Sequence, residues 1–411
     1  MSAGRTAEVF AAEYGRCVAT LTRVLGDIDL AEEAVADAFA VAVEHWAGGV
    51  PPNPGGWIVT TARRRAIDRL RREKAREPKE GEAVRLLDDL GPDDDADSGP
   101  VDDDRLRMLF TCCHPALAAP ARVALTLRLL GGLEAPAIAR AFLVGTPTIQ
   151  QRIVRAKAKI RDAHIPYRVP RDADLPDRLD SVLAVVYLIG TEGHTGTVDA
   201  TRPDLAAEAV RLARLVVELM PDEPEALGLL ALLLLTEARR PARVAGDGSL
   251  VGLADQDRSA WDAGMIAEGH ELVRRCLRRG APGRYQLQAA INAVHTDAAT
   301  AADTDWRQIL ALYDQLAVLD PGPVVALNRA VALAEVDGPA AALAVVETLD
   351  APRYHLLDAV RADLLDRLGR PDEADAARTA ALDRTDNPAE RALLLARARR
   401  PRHVRKSPRD L

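Results

Sequence analysis

Between Thr146 and Ile160 the chain reads TPTIQQRIVRAKAKI, and a helix through it has two unlike faces. Ile149, Ile153, Ala156 and Ile160 recur at helical spacing and form an apolar stripe. Thr148, Gln151, Arg152, Arg155 and Lys159 line the other side with no acid among them. Amides and guanidiniums in this pattern suit the edges of bases: Gln pairs bidentately with adenine and Arg with guanine. Thr148, Gln150, Gln151 and Arg152 fall in the leading turn, while Arg155, Lys157 and Lys159 are spaced for phosphates. The competing reading of such a face is plain solvation.

A second basic element shifts the balance toward nucleic acid. In NPGGWIVTTARRRAIDRLRREKAR, Trp57, Ile58, Ala62, Ala66, Ile67 and Leu70 make the apolar stripe, and Arg63, Arg64, Arg65, Arg69, Arg71 and Arg72 leave a broad cationic surface. An acidic helix precedes it. In DIDLAEEAVADAFAVAVEHW, periodicity turns Leu30, Ala34, Val35, Ala38 and Phe39 inward and Asp29, Glu32, Glu33 and Asp37 outward, an edge suited to a basic protein partner.

Other chemistry is poorly supported. Cys112, Cys113 and His114 in TCCHPAL tempt a metal reading, but structural zinc takes four ligands with short gaps inside each pair, and no second pair follows. No P-loop, HExxH or GxSxG occurs, and Glu192, His194 and Asp199 make only a loose acid–base cluster, so an enzyme is not expected and no cofactor is called for.

The elements that position these residues are helices. The chain has 411 residues, 48% apolar but only 3% aromatic, rich in Ala and Leu, which favours helix packing over sheet cores and predicts an all-α protein of several domains. The net charge of -8 is segregated into blocks: Ala62 to Arg76 is strongly basic, whereas Asp88 to Asp104 has no basic residue. The pattern GLEAPAIARAFLVGTPTIQQRIVRAKAKIR predicts a short helix from about Ala135 to Phe142, a turn near Gly145, and a second helix capped by Thr146 with Pro147 at its first position. That is a helix-turn-helix pattern, whose second helix enters the major groove. Four cysteines without a secretory leader suggest a reduced, cytoplasmic setting, and the apolar run from Glu225 to Ala238 is too short for a membrane span. After Pro176 the texture becomes Ala/Leu-rich helices. Glycine turns at Gly338 and Gly369, with small residues Ala330, Ala342, Ala362 and Ala374, predict two helix pairs of tetratricopeptide length within 305–400.

Together, LGDIDLAEEAVADAFAVAVEHW with NPGGWIVTTARRRAIDRLRR resembles region 2 of extracytoplasmic-function (ECF) RNA polymerase sigma factors, and ARVALTLRLLGGLEAPAIARAFLVGTPTIQQRIVRAKAKIR resembles their region 4. MLFTCCHPALAAPARVALTLRLLGGL and RLDSVLAVVYLIGTEGHTG resemble the subgroup with a long C-terminal, tetratricopeptide-like extension, with GTEGH (Gly190 to His194) where that subgroup usually has a FNEGY-like stretch. The resemblance implies an all-α chain with region 2 at 1–80, an acidic flexible linker at 81–104, region 4 at 105–165 and an α-helical solenoid extension at 166–411. It implies RNA polymerase core as partner through the β′ clamp helices and the β flap, and promoter DNA as the other. Asp29, Glu32, Glu33 and Asp37 would meet the clamp helices. The loop from His45 to Pro54 would capture a flipped base of the −10 element, with Trp57, Arg63, Arg64 and Arg69 on the helix behind it. Thr148, Gln150, Gln151, Arg152, Arg155 and Lys159 would read the −35 element. The extension would regulate in cis, on the chain's own sigma domains or on polymerase. The rival expectation is a stand-alone helix-turn-helix regulator whose solenoid receives a signal or a partner.

Overall fold

A computed structural model of the protein describes residues 2–46, 49–74, 101–142, 144–170, 174–195, 203–245, 249–351, 354–385 and 388–398. The acidic stretch 81–100 lies outside the described residues. Apart from short 3-10 turns and an isolated antiparallel bridge between Val244 and Leu250, the regular elements among the described residues are α-helices, as the composition predicts. They form two compact units, Met1–Leu188 and Ile189–Leu411.

The first unit opens with α1 (Ser2–Leu25), α2 (Ile28–His45) and α3 (Pro54–Lys74), each packed on the other two. Helix α2 starts where the Asp27 carboxylate accepts from Leu30 N at 2.8 Å, satisfying a donor that the helix cannot satisfy itself. Cys17, Val18 and Leu21 of α1, Ala31, Val35 and Ala38 of α2, and Ile58 and Ala62 of α3 are fully buried. Next come α4 (Val101–Cys112), α5 (Ala119–Leu129), α6 (Ala135–Ala141) and α7 (Thr146–Asp162). Helix α4 begins inside the stretch read as linker. Asp104 is buried there because Arg23 of α1 holds both its carboxylate oxygens, at 2.9 and 3.0 Å, and Arg107 reaches one of them at 2.6 Å. Helices α4 and α5 pack directly on α1. At Gly15 of α1 a side-chain carbon would sit 2.5 Å from the Leu130 carbonyl oxygen and 3.0 Å from its Cα, so only glycine fits.

Helix α8 (Leu175–Thr195) leads into the second unit, which continues with α9 (Pro203–Leu219), α10 (Pro224–Glu237), α11 (Ala263–Arg279) and α12 (Arg284–Asp297). Helix α10 is buried on every side, Leu227, Leu229, Leu234 and Leu235 included, and each such leucine contributes roughly 2 kcal/mol over an exposed one. Its apolar run is therefore a core helix. No helix among the described residues is long and apolar enough to cross a membrane.

The unit ends with α13 (Trp306–Leu319), α14 (Pro323–Val336), α15 (Pro339–Val346), α16 (His355–Arg367), α17 (Pro371–Asp383) and α18 (Pro388–Ala398). Gly338 and Gly369 turn the chain between paired helices at φ 93° and 72°, where a side chain would be strained. Ala330, Ala342, Ala362 and Ala374 lie in one shared core with Leu327, Leu343 and Leu365, so small residues do let these helices approach closely.

Candidate functional site

Helix α7 turns its two predicted faces as periodicity requires. Ile149, Ile153, Ala156 and Ile160 are buried, and Thr148, Gln150, Gln151, Arg155 and Lys159 are exposed, with Arg152 half-buried. The start differs from the sequence reading. Gly145 occupies the cap position and no side chain caps the helix; Thr146 is already its first residue. Pro147 lacks an N–H and Thr148 N donates to the Gly145 carbonyl at 2.9 Å, so what the leading turn turns toward solvent is its positive dipole end, a setting that favours anions. Helix α6 precedes α7 across a short turn and packs against it.

Helix α3 presents its arginines along the opposite side from Ile58, Ala62 and Ala66: Arg64 and Arg65 are exposed, Arg63 and Arg69 half-buried. Trp57 is half-buried and meets Trp46 edge-on at 5.3 Å, bracing the start of α3 against the end of α2. Of the −10 loop, residues 47 and 48 lie outside the described residues.

The four acids of α2 split into two pairs. Glu33 pairs with Arg69, and Asp37 lies 3.8 Å from Arg65; all four side chains are about half exposed, so these pairs are worth at most about 1 kcal/mol each and exchange partners readily. Asp29 and Glu32 behave differently. Lys157 Nζ of α7 bridges them, 2.8 Å from Asp29 Oδ1 and 2.5 Å from Glu32 Oε2, and Arg161 approaches Asp29 at 3.9 Å. Arg128 of α5 donates to Glu32 and reaches Glu134 at 2.8 Å. The Tyr14 hydroxyl donates to Glu32 at 3.4 Å. Glu32 is thus buried where periodicity alone turned it outward, because cations from α5 and α7 meet it.

The electrostatics of this knot are those of a partly desolvated network. Burial opposes the charge on Lys157, but Glu32 and Asp29 outweigh it and hold the ammonium above the ordinary lysine value. Burial likewise opposes Arg128, and Tyr14, Glu32 and Glu134 overcome it and raise the guanidinium. Burial, then Glu32, pushes the Tyr14 hydroxyl far up, so it stays a donor. Helix α2 is therefore an acidic strip lying between basic residues of α3 on one edge and of α5 and α7 on the other.

Sequence reasoning gave Lys157 to phosphates and passed over Arg128. A lone arginine inside VALTLRLLGG needs a buried partner, and that is the signal that points to it. Nothing local in the sequence announces Lys157 to Asp29, residues 128 positions apart.

The remaining candidates fall elsewhere. Cys17, Cys112, Cys113 and Cys276 are buried and free. Burial pushes the Cys17 thiol up to about 12 and those of Cys113 and Cys276 to about 11, with Cys112 also well above its usual value, so thiolate chemistry is suppressed. Among the described residues no group of three or more His, Cys, Asp or Glu side chains could hold a metal ion together. Of the loose acid–base cluster, Asp199 lies outside the described residues, and His194 faces Arg243.

Residues 9–76 match the Sigma-70 region 2 family, and residues 178–277 match a family of unknown function, DUF6596. The chain is 33% identical over 158 residues to the ECF RNA polymerase sigma factor SigK of Mycolicibacterium vanbaalenii, covering 37% of this chain and 79% of that protein. It is 28% identical over 152 residues to SigK of Mycobacterium ulcerans, covering 36% and 79%. An uncharacterized protein of Rhizobium meliloti is 41% identical over 395 residues, 92% of both chains, and so shares the extension as well. The chain belongs to the extracytoplasmic-function RNA polymerase sigma factors, with a long helical extension beyond the sigma region.

Proposed function

We propose that this sigma factor binds RNA polymerase core through the acidic edge of α2 and directs it to promoters by reading the −10 element with α3 and the loop before it, and the −35 element with α7. The observation that carries the reading is the exposed, acid-free face of Thr148, Gln150, Gln151, Arg155 and Lys159, with Arg152 beside it, on a helix that buries its isoleucines. It is supported by Glu33 and Asp37, whose weak surface pairs with Arg69 and Arg65 can be exchanged for basic residues of the β′ clamp helices. Region 4 would meet the β flap.

Pull-down of RNA polymerase core by the purified full-length chain, beside gel shift of duplex promoter DNA, tests this. Retention of core, with sequence-specific DNA binding appearing in the complex, is expected. No retention of core combined with a shifted duplex would replace the reading with a stand-alone helix-turn-helix regulator. Promoter binding should also weaken with salt, the log–log slope falling by about 0.9 for each phosphate neutralised on duplex DNA. A salt-independent complex would withdraw Arg155 and Lys159 from the interface.

The reading has a geometric consequence. The −35 and −10 elements are separated by about 25 base pairs, roughly 85 Å of duplex at 3.4 Å per step. Lys157 of α7 touches Asp29 of α2, so regions 2 and 4 packed in this way cannot reach both elements. The arrangement is a closed one that promoter binding must open.

For the extension, cis regulation is the proposal, supported by its size and its stacked helices. Removing residues 203–411, which leaves α8 whole, should change promoter-directed transcription in vitro at least fivefold in one direction. Unchanged transcription would end the idea.

A further inference from the structure

Basic side chains converge inside the second unit, and among the described residues no acid pairs with them. Arg239 and Arg243 follow α10, His194 ends α8, and Asn292 and His295 stand on the last turns of α12. Arg239 donates to Asn292 Oδ1 at 2.7 Å, and Arg243 donates to His194 Nε2. Both acceptors are neutral, and an Nε2 that accepts fixes the His194 proton on Nδ1. Among the described residues no carboxylate lies within ion-pair distance of Arg239, Arg243 or the neighbouring Arg258, and Arg243 Nε is buried without a hydrogen-bond partner. Arg258 has a structural task, closing α12 by donating to the His295 and Ala298 carbonyls at 2.5 and 2.7 Å and lying over the Trp261 ring. Arg239 and Arg243 have none of that kind.

Charge is felt across the whole cluster. Burial, then Arg243 and Arg258, brings the Arg239 guanidinium down to about 10, with only Tyr313 acting the other way. Burial, then Arg239 and Arg258, holds His295 near 4, and burial with Arg243 and Arg239 keeps His194 well below its usual range. Glu237 and Glu390 favour the charge on Arg243 only from a distance, after burial has opposed it. The imidazoles escape the repulsion by staying neutral; guanidiniums cannot at neutral pH. Yet Arg239, Arg243, His194, Asn292 and His295 all keep part of their surface accessible, so an ion from solvent can reach the cluster.

We propose that this cluster of Arg239, Arg243, His194, Asn292 and His295 is a binding site for a phosphoryl group, either free phosphate or the phosphate of a small metabolite. Donors arrive from three separate chain segments, which suits the several oxygens of a tetrahedral anion better than a planar carboxylate, and arginine forks bind phosphate oxygens in pairs. A permanently charged pair left with neutral partners destabilises the empty domain; a dianion would supply the missing charge. The site is independent of the promoter and polymerase surfaces, so its failure would leave the sigma reading untouched. It gives the extension a ligand to respond to.

Isothermal titration of the full-length chain with inorganic phosphate, at ionic strength held constant with chloride, tests the site. Expected is saturable single-site binding that weakens at least tenfold in Arg239→Gln and in Arg243→Gln, with Arg239→Lys in between. Titration with nucleoside monophosphates and sugar phosphates in separate arms tells a metabolite from free phosphate: tighter binding than phosphate selects the metabolite, equal or weaker binding selects the ion. Without phosphate, Arg239→Gln should melt at or above the wild-type temperature, since it removes an unmatched charge, whereas a purely structural arginine would lower it. Absence of saturable binding by all of these anions in the wild type, or equal phosphate affinity in both glutamine variants, would overturn the proposal.

Discussion

Lys157→Glu should raise the affinity of the chain for RNA polymerase core by about tenfold to a hundredfold, measured by fluorescence anisotropy. Lys157 bridges Asp29 and Glu32 with its own side chain and that of Glu32 only 11% exposed. Breaking a buried pair from one side costs about 3 kcal/mol, and here the new carboxylate also faces two others. A shift of that size moves the balance between closed and open chains about a hundredfold, because 1.4 kcal/mol is a factor of ten. Core that binds only the open chain gains what the closed chain loses, up to the point where the open form predominates. Gly15→Val should act in the same direction without changing any charge, since its side chain would collide with the Leu130 backbone where α5 lies against α1. Both variants should show a larger radius of gyration by small-angle scattering. Expansion in neither, with core affinity unmoved, would mean that regions 2 and 4 do not compete with polymerase.

Reversing the other two acids should do the opposite. With Glu33→Arg and Asp37→Arg together, core binding should fall at least a hundredfold, because interfacial charge pairs commonly carry 2–5 kcal/mol, about 3 of which suffices. The fold should survive. Glu33 and Asp37 are 53% and 55% exposed, and their partners Arg69 and Arg65 are comparably open, so at most about 1 kcal/mol per pair is lost. A melting temperature within a few degrees of wild type, together with core still bound, would remove α2 from the polymerase interface. The two experiments probe opposite edges of one helix and give opposite signs, which a general loss of structure cannot imitate.

Much of the architecture was legible because it is written at helical period. The isoleucine stripe of α7, the all-round apolar α10 and the glycine turns at Gly338 and Gly369 each depend on neighbours within a few residues. What escaped depends on residues far apart in sequence. Glu32 alternates with its neighbours like any solvated acid, and only the arrival of Arg128 and Lys157 makes it a buried one. Asp104 ends a run of aspartates that reads as linker, yet Arg23 fixes it 81 residues away. The cap of α7 failed for a local reason: Gly145, not Thr146, takes the extended cap conformation, so the helix begins one residue early and Thr146 is inside it. The cluster around Arg239 draws on positions from 194 to 295 and has no local signature.

Gly15 has a further meaning in terms of helix propensity. In the interior of α1, a glycine gives up about 1 kcal/mol relative to alanine. Taken alone, region 2 would be the more stable with Gly15→Ala, and the same change would weaken the unit as a whole by driving off Leu130. Helix α1 thus carries a standing local weakness that is offset only while the chain at Leu130 rests against it. On the proposed reading the closed arrangement is inscribed in α1 itself, and a single methyl group would separate a sigma factor that waits from one that does not.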